Sequence, residues 1–252
     1  MKEIAVVKLS GKALGAQKEL AELFSALKNT PAVVIHGGGV EVDELFSALR
    51  LKIEKKRGLR VSPAAHMPYI CAALAGQCNK HLQSVATAAG LQALGLLASD
   101  GSLLKVTKLS EDLGMVGKVE GGDPAFTDML LERGMTPILC SLCMDAQGQI
   151  FNVNADDVAS AVASLLKAPL YFISDVKGVL DPNKELVPEL TEADCQKMVA
   201  DGVISEGMAV KVNSAFKAAH ATHSPVYIGS IFDPSLSSAI SARRRLGTAL
   251  IV

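Results

Sequence analysis

The sequence predicts an α/β fold: a three-layer αβα sandwich with a central, mainly parallel open sheet and peripheral β-hairpins. Three observations carry this expectation. Short apolar runs at residues 4–9, 32–36, 137–142 and 170–174 read as buried strands, segments of helical periodicity recur between them, and glycine-containing turns join strand to helix. Two β-turn-α units in succession at the start imply parallel strands with right-handed crossovers, so their loops open on one edge of the sheet.

The first unit runs from the strand at 4–9 through Ser10-Gly11 into a helix spanning residues 17–28. The second is the most informative stretch of the chain, A-V-V-I-H-G-G-G-V-E-V-D-E-L from Ala32. Its apolar run enters three consecutive glycines and leaves as a helix, with Val42, Leu45, Phe46 and Leu49 at helical spacing. Such a junction suits an anion, because missing side chains let backbone N–H groups converge and the following helix adds a favourable field.

Residues 52–61, K-I-E-K-K-R-G-L-R-V, alternate around Gly58 and predict a hairpin or exposed flap. Ser62-Pro63 opens a helix that becomes regular near His66, beside Pro68, and runs to about Ala89. A strand follows at 92–97, then small antiparallel hairpins within 101–122, a helix over 126–133, the strand at 137–142 and a short extended return at 149–153. Asn154-Ala155-Asp156 caps a helix over 157–167. Helices at 191–201 and 211–222, separated from each other by the loop I-S-E-G-M-A-V-K, and strands at 225–228 and 248–252 complete the chain. No linker-like composition divides it, so two lobes would share one sheet.

At 252 residues and 49% apolar content the chain can bury a large core. No apolar run reaches membrane-spanning length, and the first eight residues lead straight into a strand, leaving no room for a signal peptide. A soluble cytoplasmic protein is the expectation. The formal charge of −1 gives no electrostatic reason for a nucleic-acid partner. Five cysteines, an odd number, fit reduced thiols, and C-x-x-C at Cys140 and Cys143 has no second pair to complete a zinc site.

Polar groups recur at predicted strand exits: Lys8, His36 to Gly39, Asn152 to Asp156, and Ser174-Asp175. In an open parallel sheet these exits face one ligand crevice. The chain lacks a G-x-G-x-x-G dinucleotide signature, and no G-x-S-x-G nucleophile elbow accompanies H-G-G-G, which disfavours a hydrolase. Phosphoryl transfer fits better. It needs positive charge at the moving group and backbone donors at its oxygens. Lys8 beside Gly11, the glycines at 37–39 and Lys211 at the start of a late helix supply these, with Asp156 placed to hold both ammonium groups.

The chain resembles the acetylglutamate kinases of the amino-acid kinase superfamily. The matching pieces are V-K-L-S-G, V-I-H-G-G-G, G-L-R-V-S-P-A, A-L-A-G-Q-C-N-K, N-V-N-A-D, S-D-V-K-G-V-L-D and G-M-A-V-K-V-N-S-A, in family order over nearly the whole length. The resemblance implies transfer of a phosphoryl group from ATP, with Mg²⁺, to N-acetyl-L-glutamate in arginine biosynthesis. It implies a lobe of residues 1–168 for acyl-substrate binding and dimerisation, and a lobe of residues 169–252 for ATP. Lys8, Lys211, Asp156 and Gly11 match catalytic positions, and Gly38, Gly39, Arg60 and Asn152 match substrate-binding ones. Ser174, Asp175, Val176, Lys177, Gly178, Val179 and Leu180 align with one nucleotide-binding segment. Val203, Ile204, Ser205, Glu206, Gly207, Met208, Ala209, Val210 and Lys211 align with another. No protein metal site is implied, magnesium being held mainly by ATP phosphates and water.

Where many of these kinases carry glycine this chain has Ser10, whose side chain narrows the turn; K-x-S-G is also similar to the uridylate kinases, the nearest enzyme alternative. A glutamate 5-kinase and a catalytically silent metabolite sensor are the others. The resemblance further implies a homodimer through the long helix after the flap, and an arginine-insensitive one, since the first strand begins almost at Met1.

Overall fold

The computed structural model describes residues 4–252, apart from the side-chain surroundings of Glu206 and Gly207. Residues 1–3, with which the signal-peptide expectation begins, lie outside the described residues.

The chain opens with β1 (Ala5–Leu9), α1 (Gly11–Leu14), α2 (Gln17–Ala26), β2 (Ala32–His36) and α3 (Gly39–Ala48). A small hairpin, β3 (Lys55–Lys56) and β4 (Leu59–Arg60), is the predicted flap. The long helix that follows comprises α4 (Met67–Cys71), a π-helical stretch over Ala72–Cys78, and α5 (Asn79–Ala88). Then come β5 (Gln92–Leu97), β6 (Lys105–Lys108), β7 (Val116–Gly121), α6 (Ala125–Glu132), β8 (Met135–Cys140), β9 (Leu142–Met144) and β10 (Ile150–Val153). The remainder is α7 (Ala155–Leu166), β11 (Leu170–Ser174), β12 (Glu189–Thr191), α8 (Glu192–Ala200), α9 (Glu206–Thr222), β13 (Val226–Ser230), α10 (Leu236–Ser241) and β14 (Thr248–Ile251).

The central sheet is eight-stranded in the order β12-β14-β13-β11-β1-β2-β8-β5. From β13 to β5 neighbouring strands are parallel, and β14 runs antiparallel to β13. β1 therefore lies between β2 and β11, where chain order reverses and where ligands gather at strand C-termini. Alternation along β1 sends Ala5, Val7 and Leu9 to the core under α2 and α5, with Leu20, Phe24 and Leu82. Val6 faces the other layer, where α7 and α9 supply Val158, Val162, Val212 and Phe216. Lys8 shares the parity of Val6, so its side chain leaves on the α7 side.

Three expectations change. The hairpins within 101–122 join β9 and β10 in one four-stranded sheet, because β7 pairs in parallel with β10 through Val116 and Gly117 opposite Asn152 and Val153. The late helix α9 begins at Glu206, not Lys211: Ser205 is extended at the N-cap, and the supposed loop is its first turn. Lys211 therefore sits in the second turn. Lastly, α10 and β12 had no counterpart in the sequence reading; each is too short for periodicity to declare it.

Candidate functional site

Two cavities open at the C-terminal edge of the central strands and share a wall. The larger, about 290 Å³, is lined by Lys8, Gly37, Gly38, Gly39, Lys55, Arg60, Ser141, Asn152 and Asp156 among others. The smaller, about 30 Å³, is lined by Lys8, Ser10, Asp156, Phe172, Ile173, Ser174, Lys211 and Ile228. Lys8 and Asp156 belong to both.

Their pairing follows from the fold. Lys8 leaves β1 toward α7, and Asn154 caps that helix by accepting from the Asp156 and Asp157 backbone N–H groups at 2.7 and 3.3 Å. This fixes the first turn so that Asp156 Oδ1 meets Lys8 Nζ at 2.7 Å, with the two side chains 23% and 14% exposed. The ammonium also lies 6.0 Å from the centre of the Phe172 ring on β11, opposite Lys8 in the register. An ammonium has three donors, so the one bond to Asp156 leaves others for an incoming anion.

Lys211 departs from expectation. Asp156 does not hold it: Lys211 Nζ lies 3.6 Å from Asp175 Oδ1 and donates to Ser174 Oγ at 3.3 Å. Its place in the second turn of α9 brings it beside the exit of β11, where Asp175 is the available carboxylate. Asp175 Oδ2 also accepts from Lys12 Nζ at 2.7 Å, and that bond holds the Asp175 carboxyl below its ordinary range.

In the larger cavity, the Arg60 side chain is 8% exposed. One guanidinium nitrogen, Nη2, pairs with Asp43 and donates to the Gly39 carbonyl at 3.0 Å. The other, Nη1, is buried without a hydrogen-bond partner among the described residues. The planar fork packs 5.4 Å from the Phe46 ring centre. A carboxylate is the natural complement of that free edge. Asn152 donates to Ser62 Oγ at 3.1 Å, joining β10 to the segment that follows the flap.

The glycine turn is built by close approach. A Cβ on Gly38 would lie 2.6 Å from Leu74 Cδ2 and 2.9 Å from Cys78 Sγ, both on the π-helical stretch. Gly39 opens α3 with space around its Cα. Gly11, in contrast, lines neither cavity, and a Cβ there would make only ordinary contact with Val40.

The remaining predicted residues follow β11 or lead into and open α9. Val176, Lys177, Gly178, Val179 and Leu180 follow β11, and the Val179 N–H donates to Thr248 Oγ1 at 2.8 Å. Gly178 has φ +144°, and a Cβ there would come 2.6 Å from the same Oγ1. Val203, Ile204 and Ser205 lead into α9, whose first turn holds Glu206, Gly207, Met208 and Ala209; Val210 is 66% exposed. Sequence reasoning did not single out Asp43, Lys55 or Lys12 and read Ser62 only as opening a helix; their contacts depend on elements distant in the chain.

Burial pushes the thiols of Cys78, Cys140 and Cys143 up to about 12, so they are protonated packing groups. Among the described residues no three or more His, Cys, Asp or Glu side chains gather as a metal site, and no helix is long and apolar enough to cross a membrane.

The sequence profile of the amino acid kinase family matches residues 3–230. The chain belongs to the amino acid kinase family. Among family members it is 43% identical over 234 residues to the acetylglutamate kinase of Proteus mirabilis (strain HI4320), covering 90% of this chain and 91% of that one. It is 42% identical over 253 residues to the acetylglutamate kinase of Aeromonas salmonicida (strain A449), covering 98% of both. The crystal structure of smu.665 from Streptococcus mutans UA159 superposes with a TM-score of 0.76 at 29% identity, covering 99% of each chain. An N-acetylglutamate synthase from Neisseria gonorrhoeae shares the fold, with a TM-score of 0.83 at 21% identity over 99% of this chain and 59% of that longer one.

Proposed function

We propose that this amino acid kinase family member phosphorylates the γ-carboxylate of N-acetyl-L-glutamate with MgATP, yielding N-acetyl-L-glutamate 5-phosphate in the cytoplasmic route to arginine. The observation that carries the reading is the Lys8–Asp156 pair at the wall between the two cavities. Acyl substrate in the larger cavity and phosphates in the smaller one would meet at Lys8.

The substrate carboxylate is already a nucleophile at neutral pH, so no general base is needed. Its oxygen forms a bond to the γ-phosphorus while the bond to the β–γ bridging oxygen breaks, and ADP leaves with that electron pair. The barrier is dominated by repulsion between anions. Lys8 lowers it at the meeting point, Lys211 lowers it on the nucleotide side, and N–H groups of the 37–39 turn donate to oxygens that gain charge. Gly11 keeps the first turn free of a side chain. Arg60 Nη1 and Asn152 orient the α-carboxylate end of the substrate. Asp156 holds Lys8, and magnesium arrives as part of the nucleotide substrate, liganded by phosphates and water. Residues 1–168 form the acyl lobe and 169–252 the ATP lobe across one sheet, with 174–180 and 203–211 flanking the nucleotide. A homodimer through the 64–88 helix completes the proposal, to be checked by light scattering after gel filtration.

The deciding experiment is a coupled ADP-release assay offering N-acetylglutamate, glutamate, aspartate, carbamate and UMP. Turnover with N-acetylglutamate above the others supports the reading; preference for UMP would replace it with the uridylate kinase alternative, and MgATP binding without turnover would indicate a sensor.

A further inference from the structure

The smaller cavity contains a polar group with no task in the free protein. Ser10 follows β1, and its backbone N–H donates to the Ile173 carbonyl at 2.9 Å, which pins it against the exit of β11. Ser10 lines the cavity together with Lys8, Asp156, Lys211 and Ser174. Ser10 Oγ is buried and has no hydrogen-bond partner among the described residues. Although Ser10 stands at the N-cap of α1, its side chain does not cap that helix. Ser174 across the cavity is different, since its Oγ accepts from Lys211 and from the Val176 N–H.

A buried hydroxyl left without a partner is destabilising, so a protein that retains one either tolerates the cost or satisfies the group when a ligand arrives. Two ammonium groups and one carboxylate, Asp156, line the same small space, and the excess of positive charge favours an anion as its occupant. Lysines carry no acceptor, and Ser10 Oγ makes no bond to the Asp156 carboxylate, which is engaged by Lys8, so the hydroxyl proton is matched by an anionic oxygen of the occupant. We propose that the Ser10 hydroxyl donates a hydrogen bond to a phosphate oxygen of the bound nucleoside triphosphate, as a binding group additional to the lysines. The inference rests on the kinase reading above.

It makes a prediction of opposite sign to a structural role. A structural serine loses stability on truncation, whereas removing a hydroxyl that is unpartnered in the free protein does not. Wild type and Ser10→Ala are compared by thermal unfolding without nucleotide and by calorimetric titration with MgATP; KM for the acyl substrate is then measured. The expected result is an unchanged or raised Tm, about a tenfold loss of MgATP affinity, and an acyl-substrate KM within about twofold of wild type, as befits a charge-assisted bond on the nucleotide side only. Ser10→Gly carries the same comparison if the alanine variant does not fold. Wild-type affinity for MgATP in both variants overturns the inference alone, as does a lowered Tm with unchanged affinity. Failure of the wild-type protein to bind MgATP overturns it together with the kinase reading.

Discussion

His36 and Asn79 hold each other inside the protein: the Asn79 amide donates to His36 Nε2 at 3.0 Å and to the Ile138 carbonyl at 2.9 Å. On its other side His36 Nδ1 lies 2.6 Å from the Gly37 carbonyl. This network assigns the neutral tautomer with the proton on Nδ1. It ties the last residue of β2 and the first glycine of the turn to the long helix and to β8. A glycine triplet has little conformational preference of its own; here the imidazole fixes where it begins, while Leu74 and Cys78 limit where Gly38 can go.

The first prediction concerns pH. Burial lowers the His36 pKa from 6.5 to about 4. The folded protein therefore binds fewer protons than the unfolded chain between those values, and stability falls as pH drops through the window. Full loss amounts to about 3 kcal/mol at 1.36 kcal/mol per unit. Urea unfolding at intervals from pH 7 to pH 4 measures it, with His36→Gln as reference because carboxylates also titrate at the lower end. The wild-type slope should be the steeper between pH 6.5 and 5; equal slopes would show that His36 is not held neutral.

Replacing Lys8 by methionine should reduce turnover by about 100-fold or more, the scale of removing one group that stabilises developing charge. The fold should survive, because Asp156 is 23% exposed and can recruit water when its partner is lost. Circular dichroism establishes the fold and steady-state kinetics the turnover. A folded Lys8→Met protein with near-normal kcat would remove Lys8 from the reaction.

Lys8 was legible in the sequence because one charge in an otherwise apolar strand, at its C-terminal end, has few structural explanations. Asn154 and Asp156 were legible as a helix cap. Lys211 was singled out in the sequence, but its surroundings were misjudged: Gly207 in E-G-M-A-V-K reads as loop, whereas the segment is the first turn of α9, and the shift hands the lysine to Asp175. The π-helical stretch and the parallel pairing of β7 with β10 left no local signal, since both depend on packing between distant segments. For the same reason Arg60 was visible and its partner Asp43 was not.

Arg60→Lys should raise KM for the acyl substrate by about tenfold with little change in kcat. Lysine keeps the charge but cannot pair with Asp43 and Gly39 through one nitrogen while offering a second, fixed nitrogen to a carboxylate. The loss then falls on substrate binding, worth roughly one charge-assisted hydrogen bond. Initial rates over a range of acyl-substrate concentrations separate the two constants. A drop in kcat at unchanged KM would assign Arg60 to the transition state instead.

Asp175 pairs with two lysines of different exposure, Lys211 at 40% and Lys12 at 72%. Asp175 is engaged on both oxygens, by Lys12 at 2.7 Å and by Lys211 at 3.6 Å. Lys12 is 72% exposed, and pairs of that kind contribute little because water and salt screen them. Lys12→Ala should therefore change KM for MgATP by less than about threefold, an effect that shrinks further in added salt. Asp175→Asn removes the countercharge that positions Lys211 and should lower kcat by about tenfold, while KM for the acyl substrate stays near wild type because that cavity is lined by other residues. The pair is insensitive to pH over the neutral range. Its contribution is present above the ordinary carboxylate pKa and is lost only as pH falls through the lowered folded value. Kinetics of both variants at low and high salt decide the matter: a larger effect from Lys12→Ala than from Asp175→Asn would make the exposed lysine, not the positioning of Lys211, the reason Asp175 stands at the exit of β11.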